Sequence, residues 1–293
     1  MARGYDQAMT SVVIALASAV CFALALVLAQ VGLRHMPPLA GGAVSVPTAT
    51  ALFWLAAPFA IDVAAIDGGA VTIFAAVGLL FPAAVTVLTF AANRHMGPTV
   101  AGALGNLTPL FAVLGAFIVL GERPGLAQLG GLAVIVAGVF LLSWPSGASA
   151  TSGWPLWALL LPLAAAAIRG AIQPAVKVGL ALWPAPFAAG LVGYSVSSLV
   201  LLAVAARAGA LGRVTRQGAV VFAGVGLCNG LAVLLLYIAL NGGPVSLVSP
   251  LVATYPLFTL VLGAVAIRAA PLGPRAIAGV VLSVAGVMLL LAG

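Results

Sequence analysis

The sequence predicts an all-α integral membrane protein of ten transmembrane helices, arranged as two five-helix repeats of inverted topology. Three observations carry that expectation. Of 293 residues, 64% are hydrophobic and 5% charged, whereas a soluble domain is about half apolar and about a quarter charged. So few charges cannot clothe a water-soluble fold. The acidic residues, Asp6, Asp62, Asp67 and Glu122, and most of the basic ones fall in short gaps between apolar runs of span length, near twenty residues. Finally, the second half of the chain repeats the first at a nearly constant offset. The runs are continuously apolar rather than alternating, so their backbone polar groups are satisfied within helices and not around a closed barrel.

With charged, Pro and Gly punctuation taken as loops, the spans fall at 10–33, 39–61, 69–92, 98–120, 125–143, 154–177, 186–206, 217–239, 244–267 and 273–292. The first apolar run, Val12 to Val31, contains Ala-Ser-Ala near its start. It is too long for a cleaved signal and opens a series of similar runs, so it is read as a span. Cys21 and Cys228 lie inside spans, where they pack as small hydrophobes rather than form a disulfide framework. The gap P-S-G-A-S-A-T-S-G is the clearly polar, flexible stretch. It divides the chain into a first repeat, 1–144, a linker, 145–153, and a second repeat, 154–293. Trp144, Trp154 and Trp157 flank the linker; indole rings favour the bilayer interface, so the three are read as marking one membrane surface.

An offset of 147 residues superposes Gln30-Val31-Gly32 on Lys177-Val178-Gly179, Pro37 on Pro184, Phe90 on Tyr237, and Pro109-Leu110-Phe111 on Pro256-Leu257-Phe258. An offset of 148 superposes Gly131 and Ala137-Gly138-Val139 on Gly279 and Ala285-Gly286-Val287. Five spans per unit is an odd number, so the second copy enters the membrane inverted, with a pseudo-two-fold axis in the membrane plane. Two such units can exchange packings that expose a midplane site to alternate sides. That is the logic of a carrier.

The segment P-T-V-A-G-A-L-G-N-L-T-P-L-F from Pro98, L-G-E-R-P ending at Pro124, and G-G-L-A-V-I-V-A-G-V ending at Val139 resembles the EamA-type ten-helix exporters of the drug/metabolite transporter superfamily. The stretch from Pro244 to Val287 looks like the same pattern. The motifs are short, but the five-plus-five arrangement extends the likeness over nearly the whole chain. The resemblance implies a central cavity built from spans 1, 3, 4, 6, 8 and 9, both termini in the cytoplasm of a bacterial inner membrane, and efflux of amino acids or related metabolites. Within the group the chain looks most like bacterial aromatic amino-acid exporters. It departs from the pattern in two places: Ala270, beside Arg268, stands where a mate of Glu122 belongs, and a basic residue common near the start of the second span in relatives is missing.

Ionisable groups inside spans are the first functional candidates, because a charge in lipid is expensive. Arg169 is the deepest, about 12 Å along a helix from Lys177. It is expected either to meet a substrate carboxylate in a wet cavity or to stretch to an interface. Lys177 and its repeat mate Gln30 sit near span ends, where snorkelling accounts for the lysine. The central part of every span lacks Asp and Glu, whereas many proton-coupled pumps use a buried carboxylate that titrates. The substrate is therefore read as neutral, zwitterionic or anionic, and transport as facilitative rather than proton-driven. His35 and His95 fall in loops beside Arg34 and Arg94 and are read as solvated.

Neutral polar groups next to prolines complete the pathway candidates: Asn106 and Thr108 before Pro109, Thr254 and Tyr255 before Pro256, and Gln173 before Pro174. Asn229 in the eighth span joins them. Pro82, Pro109, Pro174 and Pro256 are expected helix kinks that present such groups to a cavity. Phe81 and Tyr237, with Tyr194, Phe90 and Phe111, are candidates for an aromatic stacking surface. Gly226, Gly230 and the small residues of the fifth and tenth spans are expected to let helices approach closely, or to form a dimer.

Scattered basic residues do not make a nucleic-acid surface. The acids and histidines lie near span ends and do not cluster, so no catalytic triad, metal site or cofactor is expected. The partners expected are a small-molecule substrate and the lipid bilayer, with the chain a monomer or a dimer. The function read from all this is export of small metabolites, amino acids with aromatic or apolar side chains first, by alternating access. A drug, nucleotide-sugar or other metabolite carrier of the same fold, or a channel, are the alternatives. Loop charges conflict with the resemblance. The side holding the termini has Arg3, Arg123 and Lys177, and the other has Arg34, Arg94, Arg207, Arg213, Arg216, Arg268 and Arg275. The positive-inside rule would put the termini outside; the reading adopted follows the resemblance.

Overall fold

The computed structural model describes residues 2–143, 155–267 and 274–292. The expected linker, Trp144, Trp154, Arg268 and Ala270 lie outside them. Within them the chain forms twelve helices longer than one turn or two: α1 (Ala2–Gly32), α2 (Pro38–Ala60), α3 (Gly68–Gly78), α4 (Val85–Gly105), α5 (Thr108–Leu120), α6 (Leu126–Ser143), α7 (Leu160–Leu182), α8 (Pro186–Arg207), α9 (Arg216–Gly242), α10 (Val245–Val252), α11 (Tyr255–Ile267) and α12 (Pro274–Leu291). Among the described residues seven stretches are long and apolar enough to cross a membrane: Met9–Gly32, Pro38–Ala60, Gly68–Thr89, Leu156–Leu182, Pro186–Arg207, Arg216–Gly242 and Val245–Leu262. Three shorter apolar helices, Thr108–Leu120, Leu126–Leu141 and Ile277–Leu291, accompany them.

Two expected spans are broken rather than kinked. In the first repeat α4 ends at Gly105 and α5 begins at Thr108; in the second α10 ends at Val252 and α11 begins at Tyr255. The breaks stand at the same offset of 147 residues. Pro109 and Pro256 explain both, because proline is welcome in the first turn of a new helix but cannot continue an old one. A third interruption has no mate. Phe81 leaves helical backbone ahead of Pro82, with φ −135° and ψ 131°, as the residue before a proline prefers. The corresponding part of α9, with Asn229 at the place of Pro82, runs on unbroken.

Helical hydrogen bonding continues through the Asn93–Gly97 stretch, which was expected as a loop. Yet α4 is not a straight rod. Arg169 Nη2 lies 3.3 Å from Thr89 Oγ1, and a Cβ built on Gly105 would lie 3.7 Å from Nη1 of the same guanidinium. Sixteen residues of straight helix would separate those positions by about 24 Å. The chain therefore bends back sharply within the range of α4.

The repeats interlock through small residues. α1 packs along α9, and α6 along α12. A Cβ on Gly131 would lie 2.5 Å from the Leu290 backbone nitrogen, and one on Gly138 2.6 Å from that of Ser283. A Cβ on Gly286 would lie 2.6 Å from the Ile135 nitrogen. The glycines of the fifth and tenth spans are thus consumed inside the chain, joining its two halves, and are not a free dimer surface. Gly226 presses against the Ser45 carbonyl and Gly230 against Ala49, as expected for close approach. Arg34, Arg207, Arg213, Arg216 and Arg275 are exposed at helix ends and turns.

Candidate functional site

A cavity of about 340 Å³ lies where the repeats meet. Of the sequence candidates, Phe81, Pro82, Asn106, Thr108, Pro109, Arg169, Gln173, Asn229 and Tyr255 line it. Tyr237 and Thr254 do not: Tyr237 is buried in the main apolar core, and the Thr254 hydroxyl turns back to donate to the Leu251 carbonyl at 2.7 Å. Pro174 is buried, its ring against Gly115, and Pro256 begins α11 behind Tyr255. The walls come from α1, α4, α7, α9 and α10, with the first residues of α5 and α11 and the breaks before them, within the spans that the resemblance implied. They also come from α2, which it did not, through Pro38, Gly42, Ser45 and Val46. Glycine is the reason: Gly41 and Gly32 leave room for the Phe222 ring, which draws α2 and α1 onto α9 and brings α2 to the cavity.

Arg169 does not stretch to an interface. Its guanidinium stays in the cavity, 3.3 Å from the Thr89 hydroxyl, and among the described residues no acidic side chain pairs with it. Its repeat mate, by the offset of 147, is Phe22, which also lines the cavity. The pseudo-two-fold relation therefore sets a cation on one helix against an aromatic ring on its partner. The Phe22 ring lies 6.4 Å from that of Tyr255, whose hydroxyl donates to Asn106 Oδ1 at 3.1 Å. Asn229 Nδ2 donates to the Tyr194 hydroxyl at 3.2 Å. Tyr194 itself packs on Phe53 with centroids 5.5 Å apart, Phe111 packs against Gly170, and the Phe90 side chain lies outside the described residues.

Sequence reasoning passed over Ser249, Thr89, Phe22 and Phe222. Ser249 carried a signal that went unread: like Gln173 it directly precedes a proline, Pro250. Phe22 was reachable only through the repeat, as the mate of Arg169.

The cavity reaches the α1–α2 turn, where Leu33 and Pro38 line it. Toward the termini it stops short of a charged clasp. The Glu122 carboxylate, just after α5, accepts from the backbone nitrogens of Val245 at 2.8 Å and Ser246 at 2.9 Å. It thereby caps the start of α10, a favourable place for an anion. Lys177 Nζ lies 4.0 Å from the same carboxylate and donates to the Gly243 carbonyl. Lys177 therefore folds inward instead of snorkelling. The clasp joins the end of α5 in one repeat to α7 and the α9–α10 turn of the other, and Ser11 of α1 is buried against Gly242 and Gly243. His35 is exposed, and the His95 ring meets Trp157 edge-on at 4.8 Å. Among the described residues no His, Cys, Asp and Glu cluster could hold a metal.

A cavity with polar and aromatic walls, set between two like halves of apolar helices and shut at one end, defines a membrane transporter of small molecules. The chain belongs to the EamA-like transporter family, whose model matches it twice, over residues 9–144 and 156–292. A solved structure described as "Crystal structure of protein" has the same fold, with a TM-score of 0.76, 21% sequence identity and coverage of 96% of each chain. No curated protein matches the chain.

Proposed function

We propose that this protein is a ten-helix carrier that exports amino acids with aromatic or apolar side chains across a bacterial inner membrane by facilitated alternating access. The repeats are 1–144 and 154–293, joined by the 145–153 linker, and the termini are cytoplasmic. The observation that carries this reading is the unneutralised Arg169 in a small, mostly apolar cavity. A guanidinium without an acidic partner suits a carboxylate, and the Phe22, Phe81, Phe222 and Tyr255 rings suit an apolar side chain. At about 340 Å³ the cavity is at the low end of small-molecule sites, about 300–1,000 Å³. That favours an amino acid over a nucleotide sugar. Among the described residues the cavity walls hold no carboxylate, which supports transport without proton coupling. The Glu122–Lys177 clasp closes the terminal side in this state, and its release opens that side.

The test is counterflow in proteoliposomes loaded with unlabelled amino acids, one class per batch, following entry of a labelled member with and without a pH gradient. Saturable exchange that ignores the gradient is the expected result. Absence of exchange for every class overturns the substrate, and a strict dependence on the gradient overturns the facilitated mechanism.

A further inference from the structure

We infer that the cavity carries a second polar subsite, formed by Gln173 and Ser249, that receives the α-ammonium group of a zwitterionic substrate. The inference rests on the amino-acid reading above and deepens it. Gln173 Oε1 and Ser249 Oγ are buried without a hydrogen-bond partner, and both residues line the cavity. Their residues are 6% and 2% exposed, so bulk water does not satisfy them. An unpartnered buried acceptor is costly, and a cavity wall is where a ligand can relieve that cost.

The chemistry of the orphans selects the ligand group. Gln173 spends its amide nitrogen on a long bond of 3.5 Å to the Arg169 carbonyl one turn earlier, which leaves the amide oxygen as a pure acceptor. A serine hydroxyl accepts as readily as it donates. Pro174 and Pro250 follow these two residues, and a proline lacks the N–H that would occupy the carbonyl four residues before it. The carbonyls of Gly170 and Ser246 each lose that helical partner. α10 also ends beside the cavity, where Val252 and Ala253 line it, and the last carbonyls of a helix carry partial negative charge. A group of three N–H donors suits such a setting.

Arg169 makes the requirement two-sided. Its positive charge shares the cavity and repels a simple amine, while a carboxylate without an amine leaves both orphans unpartnered. Only a solute bearing both groups satisfies the whole wall.

The experiment is competition in the counterflow assay, with the labelled amino acid as tracer. The competitors are the same amino acid, its decarboxylated amine, its N-acetyl derivative and its deaminated acid. The intact amino acid is expected to compete at least tenfold better than each analogue, and the gap to the deaminated acid is expected to collapse toward unity in Ser249→Ala and Gln173→Leu. Should amino acids exchange while the deaminated acid competes equally in the unmodified protein, the ammonium subsite is wrong and the carrier reading stands. Should no amino acid exchange at all, the reading fails and takes the subsite with it. Thermal stabilisation of the purified unmodified protein by the same four compounds gives the ranking without relying on any variant; equal stabilisation by the amino acid and the deaminated acid overturns the inference.

Discussion

Replacing Glu122 by Gln tests whether the terminal side is held shut by the charged clasp. A hydrogen bond to a charged group contributes about 1.5–3 kcal/mol and a neutral one about 0.5–1.5. The variant keeps one acceptor oxygen, now neutral, and turns the other into an amide that faces a backbone N–H it cannot accept from. The ion pair at 4.0 Å involves a Lys177 side chain that is 26% exposed, so its share is under about 1 kcal/mol. Taken at the low end of these ranges the loss is about 2 kcal/mol, roughly thirtyfold in the balance between closed and open terminal side, at about 1.4 kcal/mol per tenfold. Ser11, 3% exposed and packed on the Gly242–Gly243 turn, supplies the reporter. In a Cys21→Ala, Cys228→Ala background in lipid nanodiscs, Ser11→Cys is expected to react with a polar maleimide on the order of thirty times faster once Glu122→Gln is added. Leu33→Cys, at the opposite mouth, is expected to react no faster. Equal Ser11→Cys rates with and without Glu122→Gln refute the clasp, and acceleration at both positions shows general loosening instead of a shift in access.

The remaining predictions follow from the cavity wall and the helix crossings. Arg169→Gln is expected to weaken half-saturation for a zwitterionic amino acid by roughly ten- to a hundredfold, the worth of a charge-assisted hydrogen bond of about 1.5–3 kcal/mol, with little change in thermal stability; counterflow titration reads it. Gly226→Ala pushes a Cβ within 3.0 Å of the Ser45 carbonyl carbon, and backbone cannot step aside as a side chain does. A loss of about 2–3 kcal/mol is expected in denaturant unfolding, against under about 0.5 kcal/mol for Gly212→Ala, whose Cβ meets open space.

How much of this was legible in the residues follows from how locally each feature is encoded. Spans and repeats are written in composition and in matched Pro and Gly, so the helices and the lining role of Arg169, Asn106 and Gln173 could be read directly. The breaks at Asn106-Leu107 and Ala253-Thr254 were anticipated only as kinks, because proline signals the end of helical bonding but not how many residues the chain spends outside it. Lys177 was assigned to the interface since its partners, Glu122 and the Gly243 carbonyl, are remote in sequence and joined only by the inverted packing. The same holds for α2, whose place at the cavity depends on glycines facing Phe222. Tyr237 and Thr254 show the converse error: polarity beside a lipid-spanning core marks a candidate, yet Tyr237 packs in the apolar core and the Thr254 hydroxyl is spent on the Leu251 carbonyl.

The clasp breaks the symmetry of the repeat, and that asymmetry carries a consequence. The inverted copy places Gln30 opposite Lys177 and Ala270 opposite Glu122. A mirrored closure of the other side would therefore lack both charges. If the carrier alternates as proposed, the state shut toward the termini has a charge-assisted latch for which the other repeat has no charged pair in sequence, and the balance is expected to favour the arrangement described above. Installing the missing pair should reverse that bias. Gln30→Lys with Ala270→Glu is expected to slow Leu33→Cys labelling and to speed Ser11→Cys labelling in the same cysteine-free background. Each single substitution alone should do neither, since a lone charge gains no partner. If the double variant labels like the unmodified protein at both positions, the repeat mates do not meet in the alternate state, and the two sides close by unrelated contacts.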